Sequence, residues 1–279
     1  MAGASMKDIK LRIRSVENTM QITKAMQLVA ASKLRGARRR MENSRPYLET
    51  ARSVIAEIAG HNTGTASVYM AQREVHRRCY VVIAGDRGLA GSYNINVFKM
   101  VDAHRDGMDF CVMPIGRKAR ERYSHEKIVE AVGIDKVDGL TVAQCEPLAQ
   151  ELMRGFKHGE YDEVWIAYTS FVSVLTQRPQ VAQLLPMRCD SSELTGRQML
   201  FEPGVDALLN GFLPQYLAGV IYAAACDSVA SEQAARRVAM DSASKNAGEM
   251  IEELSLRYNR ARQGSITQEI TEIVAGAEQ

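Results

Sequence analysis

The stretch Met240-Asp-Ser-Ala-Ser-Lys-Asn-Ala-Gly-Glu-Met-Ile-Glu-Glu-Leu-Ser-Leu-Arg-Tyr-Asn-Arg-Ala-Arg-Gln-Gly264 decides the fold. It lies inside a run from Gln215 to Gln279 that contains no proline. Proline inside a helix costs roughly 3 kcal/mol and removes a hydrogen bond, so its absence permits one unbroken helix. A helix from Pro214 to the last residue would reach about 98 Å, far beyond the ~12 residues of an ordinary globular helix. Met240, Ala243, Ala247, Met250, Leu254, Tyr258 and Ala261 step by three and four, which predicts an apolar seam for a partner helix. Ile266, Ile270, Ile273 and Val274 resume it after Gly264.

The partner is expected at the other end of the chain. All seven prolines fall between Pro46 and Pro214, so a punctuated middle separates two helical arms. Ile9, Ile13, Val16, Met20 and Thr23 form a heptad seam, and Ile22 to Leu34 is apolar over most of its circumference. A helix apolar nearly all round is buried on several sides, more than one partner helix covers. Residues 1–45 hold eleven Lys and Arg against three Asp and Glu, a net of +8. Residues 205–279 hold six against ten, a net of −4. Opposite charge on the two arms favours their pairing. The basic run Lys33, Arg35, Arg38, Arg39, Arg40 reads as a solvated face or as a contact for acidic loops of a partner. The arginine-rich turn Arg257 to Gly264 reads as a solvated turn or as a docking collar of the same kind. Nucleic-acid binding is a weaker alternative, since no aromatic interleaving accompanies the charge.

The middle alternates strand and helix. Cys79–Ala84, Asp109–Ile115 and Val164–Thr169 are short β-branched runs, with a short strand expected at Ile128–Val132 and an edge strand at Gln180–Leu185 between two prolines. Helices are expected from the Gly85–Asn94 loop to Arg105, after Arg117, and over Val142–Lys157. This predicts an α/β class: a small, mostly parallel sheet with helices on its faces, flanked by the long arms. The expected divisions are residues 1–58, 75–195 and 205–279.

No catalytic constellation emerges. The five histidines have neither metal-ligand spacing nor a nucleophile beside them, and neither a metal site nor a cofactor is expected. Gly85, Gly88 and Gly91 do not match a dinucleotide or Walker pattern; a tight turn pinned by Asp86 and Arg87, with Gly88 and Gly91, is the reading, and a nucleotide-sensing domain the alternative. The five cysteines are unpaired in spacing, which predicts reduced thiols. No run of about 18 apolar residues predicts a membrane span, and Met1–Ser5 lead into a charged helical pattern without a secretory signal.

Both arms resemble the gamma subunit of the F-type ATP synthase. The matching stretches are Ile9-Lys-Leu-Arg-Ile-Arg-Ser-Val-Glu-Asn-Thr-Met-Gln-Ile-Thr-Lys-Ala-Met-Gln-Leu-Val-Ala-Ala-Ser-Lys-Leu34 and Arg262-Gln-Gly-Ser-Ile-Thr-Gln-Glu-Ile-Thr-Glu-Ile-Val-Ala-Gly276, with Asp86-Arg-Gly-Leu-Ala-Gly-Ser-Tyr-Asn94 between them. The resemblance implies an antiparallel coiled coil and a Rossmann-like foot domain. It implies a non-catalytic rotor of a proton-translocating synthase, regulating ATPase activity and proton flow, peripheral on the cytoplasmic face of the cell membrane without inserting into lipid. The implied partners are the alpha and beta subunits of the catalytic hexamer, the epsilon subunit and the membrane c-ring, with no nucleic acid. The resemblance carries over Met26, Arg262, Gln263 and Thr267, with Ile270, as hexamer contacts, and Glu202 as a ring contact.

Overall fold

The computed structural model describes residues 6–60, 67–130, 134, 136–187 and 205–277. Its elements are α1 (Met6–Gly60), β1 (Arg77–Ile83), α2 (Tyr93–Arg105), β2 (Asp109–Ile115), α3 (Arg117–Arg122), α4 (Val142–Lys157), β3 (Glu163–Phe171), β4 (Gln177–Leu185) and α5 (Val205–Ala277). The chain divides into two compact units: residues 1–30 with 236–279, and residues 31–235.

The first unit is an antiparallel helix pair. Along α1, Met6, Ile9, Ile13, Val16, Met20, Thr23, Gln27 and Ala30 are covered at spacings of three and four, with Met26 half-buried beside Gln27. Along α5 Met240, Ser244 and Ala247 are buried, and Ala243, Ile251, Leu254, Tyr258, Ala261 and Ser265 are among the half-buried positions. Ile251 therefore takes the place that apolar spacing gave to Met250, and Ser244 is buried beside the half-buried Ala243. Met250 is 43% exposed, whereas Ser244 is buried because its hydroxyl meets Thr23 across the pair. Ile22, Leu28 and Val29 remain exposed within this unit.

The second unit holds the sheet, ordered β2-β1-β3-β4. β1 pairs parallel with β2 and β3, and β4 runs antiparallel to β3. Each parallel step needs a crossover, and helices supply both: α2 between β1 and β2, α4 between β2 and β3. Ile128 makes one parallel bridge to Val112 in place of the expected strand, and residues 131–133 lie outside the described ones. Pro179 is tolerated in β4 because that strand is the edge among the described residues. One face of the sheet, carrying Cys79, Val81, Ile83, Met113 and Ile166, packs with α4 and with Leu217, Ile221, Ala225 and Val229 of α5. The same core takes Leu34, Ala37, Met41 and Ile55 from α1. The other face, with Tyr80, Val82 and Val112, packs against Val97 and Val101 of α2 and Tyr123.

Two prolines expected to punctuate the chain stand inside helices, Pro46 in α1 and Pro214 in α5. The backbone penalty is offset by burial on either side: Met41, Ala51 and Ile55 around the first, Leu213, Leu217 and Ala218 around the second. Cys79, Cys111, Cys145 and Cys226 are free and buried, and burial pushes the Cys145 thiol up to about 12.

Candidate functional site

In the helix pair, the hydroxyls of Thr23 and Ser244 lie 2.7 Å apart, and Gln27 Nε2 donates to Asp241 Oδ1 at 2.8 Å. These contacts set the register. Met6 lies seventeen residues before Thr23, and seventeen beyond Ser244 is Ala261. Residues from Arg262 to the end of α5 therefore have no described residue of α1 beside them. Arg262, Gln263, Thr267 and Ile270 all sit on this overhang and are exposed. Gln263, Thr267 and Ile270 follow i, i+4, i+7 spacing and share one face; Thr267 Oγ1 donates to the Gln263 carbonyl at 2.9 Å. Ile266, Ile270 and Ile273 are 43%, 56% and 71% exposed. Met26, half-buried, lies level with Asp241, about 33 Å along the axis from Gln263. The helix pair thus offers two separate contact levels.

In the α/β unit, the loop after β1 forms one wall of a cleft of about 720 Å³ lined by Lys33, Asp86, Arg87, Arg117, Arg120, Lys136 and Asp138. The carboxylate of Asp86 accepts from the backbone N–H of Val137 at 3.1 Å and of Arg117 at 3.3 Å. It thereby ties its loop to the start of α3 and to the segment before α4. Arg117 Nε donates back to the Asp86 carbonyl at 3.0 Å. Asp138 accepts from Lys33 Nζ at 3.1 Å and Arg40 Nη2 at 3.0 Å. Burial pushes its carboxyl up, but the hydrogen bonds and charges of these two cations hold it below its usual range. Both acids are thus engaged, Asp86 by backbone N–H groups and Asp138 by two cations, and the lining carries five cations against two acids.

The glycines of the loop are not equivalent. Gly91 has φ +57°, the left-handed region that glycine adopts without strain. Gly88 has room for a Cβ. Gly85 has none, since a Cβ would stand 2.8 Å from the Glu232 carboxyl carbon. Between them Leu89 takes φ +61° with its side chain 64% exposed. Arg117, Arg120, Lys136 and Asp138 escaped the reading of the sequence: they come from two separate segments, α3 and the stretch before α4, and carry no local signature. Glu202 lies outside the described residues. Among the described residues, no group of three or more His, Cys, Asp or Glu could hold a metal ion, and no helix is long and apolar enough to cross a membrane.

The ATP synthase family model matches residues 5–279. The ATP synthase gamma chain of Ruminococcus albus is 45% identical over 279 residues, covering 97% of this chain and 96% of that one. The chain belongs to the ATP synthase gamma-chain family. The sodium-ion-specific gamma chain of Acetobacterium woodii is 41% identical over 298 residues, with 98% of each chain covered. Among solved structures, the central stalk and c-ring assembly of the Tetrahymena thermophila mitochondrial ATP synthase contains a chain 25% identical, with a TM-score of 0.58. That match covers 80% of this chain and 99% of the other. A gamma chain is a stalk subunit, and catalysis lies in the beta subunits of its complex. For a gamma chain, the overhang of α5, the exposed apolar face of α1 and the cationic cleft are candidate contacts with neighbouring subunits.

Proposed function

We propose that this chain transmits rotation of a membrane c-ring into conformational change of a surrounding alpha–beta hexamer. It would do so as a peripheral subunit on the cytoplasmic face, with the epsilon subunit beside it. The observation that carries the reading is the overhang: a helix end without a described partner in its own chain that keeps three isoleucines exposed. Exposed apolar surface of this kind asks for cover. Ile22, Leu28 and Val29 make the same demand one level away. Arg262, Gln263 and Thr267 would grip the hexamer at the overhang, Met26 would meet it at the lower level, and Glu202 would meet the ring. The cationic cleft suits acidic loops of the catalytic subunits.

The mechanism follows from asymmetry. A rod touching each of three catalytic subunits differently biases each differently, and an equilibrium moves only by differential contact energy. Driving a site from 1:99 to 99:1 requires about 5.5 kcal/mol, within reach of distributed apolar and ionic contacts. The same coupling would let the chain regulate ATP hydrolysis and ion flow. The coupling ion is proposed to be the proton, chosen by the ring rather than by this chain; sodium-independent ATP synthesis in the assembled complex is the check. The main test truncates the chain from Ile270. Assembly should persist while coupled ATP synthesis falls several-fold, and full coupling in the truncated complex overturns the reading.

A further inference from the structure

The helix pair carries one polar level in an otherwise largely apolar seam. Thr23 and Ser244 are 8% and 7% exposed, and each occupies a seam position. Each hydroxyl also lies within bonding distance of its own helix: Thr23 Oγ1 of the Met20 carbonyl at 3.0 Å, Ser244 Oγ of the Met240 carbonyl at 2.9 Å. Three contacts share two protons. One hydroxyl must therefore donate across the pair while the other donates to its own helix, and the bridge is satisfied only where the two side chains meet. One turn on, Gln27 donates to Asp241 Oδ1, and Lys245 Nζ donates to Asp241 Oδ2 at 2.8 Å. The flanking seam residues, Met20 and Ala30 on α1 and Met240 and Ala247 on α5, have no side-chain hydroxyl or amide to take over these bonds.

We propose that Thr23–Ser244, backed by Gln27–Asp241, is a register key. It fixes the axial and rotational relation of the two helices, and so the angle at which Met26, next to Gln27, faces a partner. Apolar seam positions are nearly interchangeable under small shear or rotation, because Met, Ile and Ala repack at little cost. A buried hydroxyl pair is not, since displacement breaks the cross-pair bond: each hydroxyl falls back on its own helix carbonyl, and a hydroxyl oxygen is left without its donor in an apolar layer. Thr23 and Ser244 are positioning residues: they hold a contact surface without forming it. The positioning role rests on the rotor reading above, whereas the key itself does not.

The test uses the full chain carrying ketone-bearing amino acids at exposed Lys24 and Asn246, spin-labelled so that the native cysteines stay untouched. Pulsed dipolar spectroscopy then reads the distance distribution. The native pair should give one narrow distance. Thr23→Val with Ser244→Ala keeps the size and removes both hydroxyls; the distribution should become at least twice as wide while the melting temperature holds or rises. The exchange Thr23→Ser with Ser244→Thr should restore the narrow distance. A narrow distribution in the Val/Ala chain overturns the key. Should that chain fail to fold, Gln27→Leu gives the same reading from the flanking bridge, with a narrow distance again overturning the key. In the assembled complex the Val/Ala chain should lose coupled ATP synthesis several-fold and keep ATP hydrolysis. A broadened distance with unchanged coupling overturns the positioning role and leaves the rotor reading standing.

Discussion

Asp227 shows how one side chain sets a pH dependence. It lies on α5, half-buried, with Oδ1 buried and lacking a hydrogen-bond partner. Burial raises its carboxyl to about 6; the Arg45 charge and a 3.4 Å hydrogen bond from Ser170 lower it without cancelling the burial. The folded state therefore favours the protonated acid. Its stabilising contribution is complete below about pH 4 and is lost as pH rises through about 6. After allowance for screening by solvent the loss is on the order of 1–2 kcal/mol. Asp227→Asn should raise the melting temperature at pH 7.5 and leave it nearly unchanged at pH 4, as read by thermal melts across that range. Gly116 gives a second expectation. Its φ is +95°, and a Cβ would stand 2.1 Å from the Ala84 carbonyl oxygen. Gly116→Ala should cost about 3 kcal/mol or more in denaturant unfolding, because strain and backbone overlap act together. Neither feature was legible in the sequence: an aspartate's burial and a glycine's dihedral are set by segments far along the chain.

At the scale of elements, the heptad of α1 was readable because helix periodicity is local. Ile9, Ile13, Val16, Met20 and Thr23 were identified from spacing alone and are among the covered positions. The seam of α5 was readable only in part. Apolar spacing favoured Met250, yet Ile251 is half-buried and Met250 is exposed, while Ala247 and Leu254 keep the places that spacing gave them. Truncation separates the two readings: Ile251→Ala should destabilise the helix pair by about 1–2 kcal/mol and Met250→Ala by less than about 0.5 kcal/mol, measured by chemical denaturation. Pro46 and Pro214 make the complementary point. Local preference marks them as helix ends, and burial of their neighbours overrides it.

At the scale of the whole molecule, the cationic cleft is the surface proposed above to meet acidic loops of the catalytic subunits. Arg120 and Lys136 line it and are exposed, so reversing their charge should leave the fold intact. Arg120→Glu with Lys136→Glu should slow association with the catalytic hexamer by about tenfold at low salt, the difference shrinking as salt screens it. Stopped-flow mixing at two ionic strengths reads this, with an unchanged melting temperature as control. The sequence by itself determined the two helical arms, the order of strands and helices, and the family, because hydrophobic period, proline placement and long motifs are written in consecutive residues. Only the tertiary structure decided which α5 residues face α1 and that a polar layer keys them. It also decided that Lys33, Asp86, Arg117, Lys136 and Asp138 meet in one cleft. Those facts depend on which distant segments the sheet and the helix packing bring together, and no local pattern encodes that.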